Sequence, residues 1–186
     1  SSAYCFVYQN ENRHLAINKT NLEFYIDKNT LLFSQQEEKN MEDLFSSKLK
    51  KFGFYEKEYY FRSIWFENGL YHCIISPVAE KTKVTGIELK VSMDKEEIIR
   101  VSGNWFRYSG RETFADEGLL DITAVMANLI YLENRPIAKL TEISCIAYVS
   151  KEYLDNKIVT AVPVYSFSFA DGQVFYYDAR SGELIQ

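Results

Sequence analysis

Histidine is almost missing from this chain. His14 and His72 are its two copies among 186 residues, far apart and on different elements. Neither has an H-x-x-x-H or H-x-x-E-H neighbour. A metal centre or a Ser-His-Asp system would therefore have to be assembled from unrelated strands. His72 reads as a strand histidine with satisfied hydrogen bonds. No stretch matches G-x-x-x-x-G-K or G-x-G-x-x-G, so no phosphate-cradling loop is present. The G-x-S-x-G elbow is missing too. Cysteine is scarce: Cys5, Cys73 and Cys145 form no C-x-x-C pair, and their number is odd. Cys73 and Cys145 lie in strand-like runs and read as small buried apolar thiols. A Cys73–Cys145 bridge stays open in an oxidising compartment. No metal and no cofactor is implied.

Long apolar runs are absent as well. Nothing approaches the ~18 residues of a membrane span, and no signal-peptide core is visible. The net charge of −5 and a pI near 5.2 lack the clustered basic face of a nucleic-acid binder. They also argue against electrostatic adhesion to anionic lipid. Carboxylate pairs occur at Glu37-Glu38, Glu96-Glu97 and Asp116-Glu117. Each falls at a helix start or a turn, where acids are expected on solvation and dipole grounds. A glycosidase-like pair across a cleft is not indicated.

Aromatic residues are abundant, at 16%, against three prolines and eight glycines. Tyr and Phe favour strands, which points to a sheet-dominated fold. Ala3 to Tyr8 and Asn21 to Ile26 read as strands. Ser34 with Glu37 fits a capping box opening a helix from Ser34 to Gly53. Met41, Leu44, Phe45, Leu49 and Phe52 form its apolar stripe, and Gly53 its stop. Phe54 to Phe66 carries aromatics on both faces: Tyr55, Tyr59, Phe61 and Trp65 on one, Tyr60, Ile64 and Phe66 on the other. Such a strand is either covered on both sides or offers a sticky face to a partner. Leu70 to Ser76 is a further strand. Ile87, Leu89, Val91 and Met93 alternate with polar residues, as in a sheet with one packed and one wet face. Asn104 to Asp116 has no periodicity and reads as a connection. A second helix follows from Asp121, its expected N-cap, with Val125, Met126, Leu129 and Ile130 inward.

The end of the chain reads PVYSFSFADGQVFYYDARSGE, from Pro163 to Glu183. Two strand-like runs flank Asp171-Gly172, the dipeptide of a type I′ hairpin turn. Asp178 to Glu183 reads as a structural turn. A weaker copy lies 77 residues earlier: Val84 to Asp94 aligns without a gap on Ala161 to Asp171, and Ile99 to Gly103 falls on Tyr176 to Arg180. One helix precedes each hairpin.

This ending resembles PepSY-type modules, and the tandem arrangement behind N-terminal strands resembles the YycH/YycI family. The resemblance covers about Asp121 to Glu183: a short helix, the run Leu140 to Tyr148, then VPVYSF and DARSGE. Over Ser34 to Gly103 it rests on the internal repeat, and over residues 1 to 33 on position alone. It implies an α+β protein of two PepSY-like halves, each an antiparallel sheet with a helix packed on one face. The halves would span residues 1–108 and 109–186. It also implies a non-enzymatic, extracytoplasmic regulatory module of a Gram-positive bacterium. Such a module is anchored by an N-terminal membrane helix that would precede Ser1. Its partner would be a membrane sensor histidine kinase or a sister accessory protein, with homo- or heterodimers compatible. The alternative is a PepSY-like inhibitor or chaperone of a secreted peptidase. A hydrolase with an unrecognised site ranks third. Tyr59, Trp65, Trp105 and Phe106 are the expected partner anchors, because exposed aromatics are enriched at interface hot spots.

Overall fold

The computed structural model describes residues 6–9, 12–17, 21–33, 40–79, 81–105, 118–133, 139–149 and 161–185. It is a mixed α+β structure with a large antiparallel sheet and two helices. The described residues group into two compact units, one ending at Trp105 and the other beginning at Gly118.

The first unit contains β1 (Phe6–Gln9), β2 (Arg13–Ile17), β3 (Asn21–Ile26), α1 (Met41–Lys51), β4 (Tyr59–Glu67), β5 (Leu70–Ala79), β6 (Thr82–Thr85), β7 (Leu89–Met93) and β8 (Ile98–Asn104). Its strands run in the order β1-β2-β3-β8-β7-β5-β4, all antiparallel, and β6 pairs with the end of β5. α1 begins at Met41, after Asn40 in the left-handed region, without a side-chain cap. The expected Ser34–Glu37 box lies outside the described residues. The C-terminus is as expected: Gly53 has φ +86°, and the Gly53 and Phe54 N–H groups donate to Lys50 and Leu49 carbonyls. That is the left-handed helix stop for which glycine is suited. Met41, Phe45 and Leu49 face Tyr59, Tyr71, Cys73, Ile75, Leu89, Val91, Met93, Ile98 and Val101, and these residues make the core. Truncating a fully buried leucine such as Leu49 in such a core costs about 2–5 kcal/mol.

The expected alternation fails within β4. The pairing with β5 shifts between Phe61 and Ser63, so Arg62 is the extra residue of a β-bulge. Tyr59 and Phe61 face the core before the bulge, and Ile64 and Phe66 after it. Trp65 is thereby turned to the opposite face from Tyr59, not the same one. Asn68 and Gly69, with φ +52° and +78°, join β4 to β5 by a two-residue turn with both residues in the left-handed region. This is the type I′ geometry that an Asn-Gly pair favours.

A strap follows β3 and crosses the strand ends. Asp27 N–H donates to Asn12, Phe33 N–H to Gly69, and Lys95 N–H to Leu31. Asp94 pins the strap. Its Oδ1 accepts Glu96 and Glu97 N–H at 2.9 Å each, and its Oδ2 accepts Leu31 N–H at 3.2 Å. Lys28 Nζ lies 3.1 Å from the same Oδ2 and 2.9 Å from Glu97. The Glu96-Glu97 pair sits in a turn, as expected, but Glu97 is also a counter-ion of Lys28.

The second unit holds α2 (Ile122–Glu133), β9 (Leu140–Tyr148), β10 (Val162–Phe169) and β11 (Val174–Asp178). Asp121 caps α2: its Oδ1 accepts the Thr123 N–H at 2.7 Å and the Thr123 hydroxyl. The three strands form an antiparallel meander, and Val125 and Leu129 of α2 pack on Phe167, Phe169 and Tyr177. The turn at Asp171-Gly172 is not type I′, because only Gly172 has positive φ. Gly172 N–H donates to Phe169 and Phe169 N–H to Gln173, which makes a type I turn closed by a left-handed glycine. Asp178 to Glu183 is a structural turn as expected. Asp178 Oδ1 accepts the Arg180 and Ser181 N–H groups at 2.7 and 3.1 Å.

In each unit a helix is followed by an antiparallel meander. The gap-free offset does not carry through the hairpins, however. It maps Leu89 on Ser166 and Gly103 on Arg180; Leu89 does pair with Gly103, but Ser166 pairs with Tyr176. The first hairpin is also interrupted between β6 and β7, where β10 is continuous.

Candidate binding surface

The face of the first sheet opposite α1 is where chemistry-bearing side chains converge. His14, Tyr25, Arg100, Ser92, His72 and Trp65 are successive cross-strand partners on β2, β3, β8, β7, β5 and β4. Directly opposed residues share a face, so these six form one row across the sheet. At one end Trp65 stacks on His72, with centroids 5.2 Å apart and planes at 20°. His72 Nδ1 is 2.9 Å from Ser92 Oγ, the satisfied strand histidine expected. At the other end His14 stacks on Tyr25 at 4.7 Å and 18°. The two histidines, remote in sequence, thus share a row at a spacing of ~19 Å, four strand steps apart. Trp65 is 36% exposed and Tyr25 46%.

Arg100 projects from the middle of this row, and Lys90 from the next, between Ile74 and Ser102; both are exposed. Neither has an ion pair among the described residues. The acids nearby are mostly engaged. Glu88 pairs with Arg62 at 2.9 Å, and Glu67 lies 3.4 Å from the Trp65 indole N–H. Glu23 lies opposite Ser102, one strand beyond Lys90's neighbour.

The expected anchors separate. Tyr59 is core, 5% exposed, its hydroxyl 3.2 Å from Ser46 Oγ and its pKa raised mainly by burial. Trp65 is on the open face. Trp105 is half-buried and meets Phe54 edge-on at 5.1 Å. Phe106 lies outside the described residues. Tyr25, Arg100 and Lys90 were not singled out by sequence, since nothing in their spacing ties β3, β7 and β8 to Trp65.

Other candidate chemistry is thin. Among the described residues, no group of three or more His, Cys, Asp and Glu could hold a metal ion. Cys73 is buried, and burial pushes its thiol pKa far up. Cys145 is exposed rather than buried, although it lies opposite Tyr165 on the α2 side of the meander; neither is in a disulfide. A shallow groove on α2 is lined by Thr123, Met126, Ala127, Ile130 and Tyr131, with no carboxylate, histidine or lysine. No helix among the described residues is long and apolar enough to cross a membrane.

No family model matches the sequence, and no curated protein matches it. Among solved structures, the Bacillus megaterium YpeB C-terminal domain is similar, with a TM-score of 0.55 at 10% identity. The match covers 97% of this chain and 86% of that one. At this identity the likeness is one of fold.

Proposed function

We propose that this chain is a non-enzymatic binding module that acts by protein–protein contact through the open face of its N-terminal sheet. The row from His14 to Trp65 supports this reading. It combines exposed aromatics with Arg100, beside Lys90 of the next row, neither ion-paired among the described residues, on an antiparallel sheet whose other face packs on α1. In line with the YycH/YycI resemblance, the partner is the extracytoplasmic part of a membrane sensor histidine kinase or a sister accessory protein. The chain itself is then extracytoplasmic and membrane-anchored through an N-terminal segment. The helix-plus-meander of each unit fits two PepSY-like halves, spanning residues 1–108 and 109–186. Such a regulator biases a kinase only through unequal affinity for its two states.

The test is calorimetric titration against the extracytoplasmic part of the cognate kinase. Trp65→Ala should weaken binding by roughly 1–3 kcal/mol with an unchanged melting temperature. Tyr59→Ala should instead lower the melting temperature, because it opens a cavity under α1. Full affinity in both Trp65→Ala and Tyr25→Ala would count against this face.

A further inference from the structure

Resting on the reading of this face as a binding surface, we infer that its occupant is an extended acidic segment with two carboxylates two residues apart. The inference comes from the placement of Lys90 and Arg100. Lys90 pairs with Ser102 and Arg100 with Ser92, so the two cations are diagonal neighbours on β7 and β8. Diagonal neighbours in an antiparallel pair are ~7–8 Å apart. Side chains two apart in an extended strand repeat every ~6.6 Å on one face. A Glu-x-Glu or Asp-x-Asp segment therefore matches the pair in both charge and spacing.

The surroundings favour the same ligand. The chain as a whole carries −5, so exposed cations without ion pairs among the described residues stand against the overall balance on this face. Ser92 and Ser102, directly opposite the cations, add short polar side chains, and Glu23, opposite Ser102, is the acid diagonal to Arg100. Tyr25 next to Arg100, and Trp65 two strands beyond Ser92, give apolar platforms on either side. An apolar residue flanking the acidic pair would lie against one of them.

The probe is a Gly-Ser-flanked peptide carrying Glu-Leu-Glu, titrated into the full chain with amide and indole shifts followed by NMR. A matched Lys-Leu-Lys peptide is the control. The expected result is binding of the acidic peptide with shifts at Lys90, Arg100, Tyr25 and the Trp65 indole, weakening as salt rises. In Lys90→Glu/Arg100→Glu the acidic peptide should lose roughly tenfold in affinity and the basic peptide should gain. Both substitutions are at exposed positions, and an unchanged amide spectrum elsewhere verifies the fold. Equal binding of the two peptides to the wild type would overturn the inference. So would affinity unmoved by the double charge reversal. If Trp65→Ala weakens the kinase complex while the charge reversal does not, the acidic segment is wrong and the face is right. If neither change affects that complex, both readings fall.

Discussion

Removing the Asp94 carboxylate should be among the most damaging single changes in the N-terminal unit. The side chain is fully buried. Three backbone N–H groups and the Lys28 ammonium converge on its two oxygens. Asp94→Ala leaves those donors facing a cavity. Breaking a buried charge pair costs about 3–5 kcal/mol. Lys28 retains Glu97 at 2.9 Å and Glu96 at 3.5 Å, so it is not left bare. The lower end, about 3 kcal/mol, is therefore expected. In a chain of this size that corresponds to a fall in melting temperature of roughly 6–12 °C. Asp94→Asn should fall between. Its carbonyl oxygen still accepts from Glu96 and Glu97, but its NH2 faces two donors, Leu31 N–H and Lys28. The pH dependence follows from the same contacts. Burial alone would raise the Asp94 pKa. The N–H groups of Glu97 and Glu96, Lys28 and Leu31 outweigh it and hold the carboxyl below its usual range. A depressed carboxyl stabilises fully above its unfolded value of ~3.9 and loses that contribution as pH falls through the folded value. The Lys28 pKa is raised, chiefly by Glu97, against its own desolvation. Its contribution is complete below ~10.4 and is lost only as pH rises through the higher folded value. Urea midpoints of wild type and Asp94→Ala should thus differ by a constant amount near neutrality and converge in acid. A difference that persists unchanged at pH 2, or a melting temperature unmoved by Asp94→Ala, would refute the account.

Two glycines give sharper steric forecasts. Gly103 has φ +136°, and a Cβ there would lie 2.2 Å from the Glu88 carbonyl oxygen. Backbone on a central strand cannot yield, so Gly103→Ala should destabilise by about 3 kcal/mol or more, read as a lowered urea midpoint. Gly182 has φ +72°, and its Cβ would press on Leu120 and Asn128 at 3.0 and 3.2 Å. Gly182→Ala should cost about 1–2 kcal/mol, chiefly as left-handed strain, and should expose the α2 N-terminus to faster amide exchange. Wild-type exchange at Leu120 and Asn128 in that variant would contradict it.

The parts of the fold that local rules govern were legible. Helical spacing found the face of α1, Gly53 its end, and Asp121 the start of α2. Alternation placed Leu89, Val91 and Met93 inward, and the DARSGE turn was read from its Asp and Gly. What failed depended on long-range pairing. A bulge at Arg62 has no local signature, yet it moved Trp65 off the face of Tyr59 and so divided the expected anchors between core and surface. The Asn68-Gly69 dipeptide carries the same readable hairpin signal as Asp171-Gly172, and it is the one that forms the two-residue left-handed turn. At Asp171-Gly172 one positive φ, not two, closes the loop. The row from His14 to Trp65 was invisible in principle. Its members come from six strands whose spatial order departs from their sequence order, and no spacing rule brings residues 14, 25, 65, 72, 92 and 100 together.

The row also suggests how the labour of binding divides along it. Its aromatic ends are already ordered: Trp65 rests on His72, which is held by Ser92, and Tyr25 rests on His14. Fixing a free side chain at an interface costs about 0.5–1.5 kcal/mol, and these residues have largely met that cost in the unbound state. Arg100 and Lys90 are exposed and without ion pairs among the described residues, so under the proposed binding they would be ordered only on docking. Most of the net affinity should therefore come from the aromatic ends, and most of the choice between partners from the cations. Truncating a pre-ordered aromatic removes contacts made only after docking, which accelerates dissociation. Reversing an exposed charge acts earlier, on encounter, and alters the association rate and its salt dependence. Trp65→Ala and Lys90→Glu/Arg100→Glu, compared in one kinetic experiment, should separate along these two axes. A shared effect on dissociation alone would mean that the cations are desolvated contacts within the interface rather than guides to it.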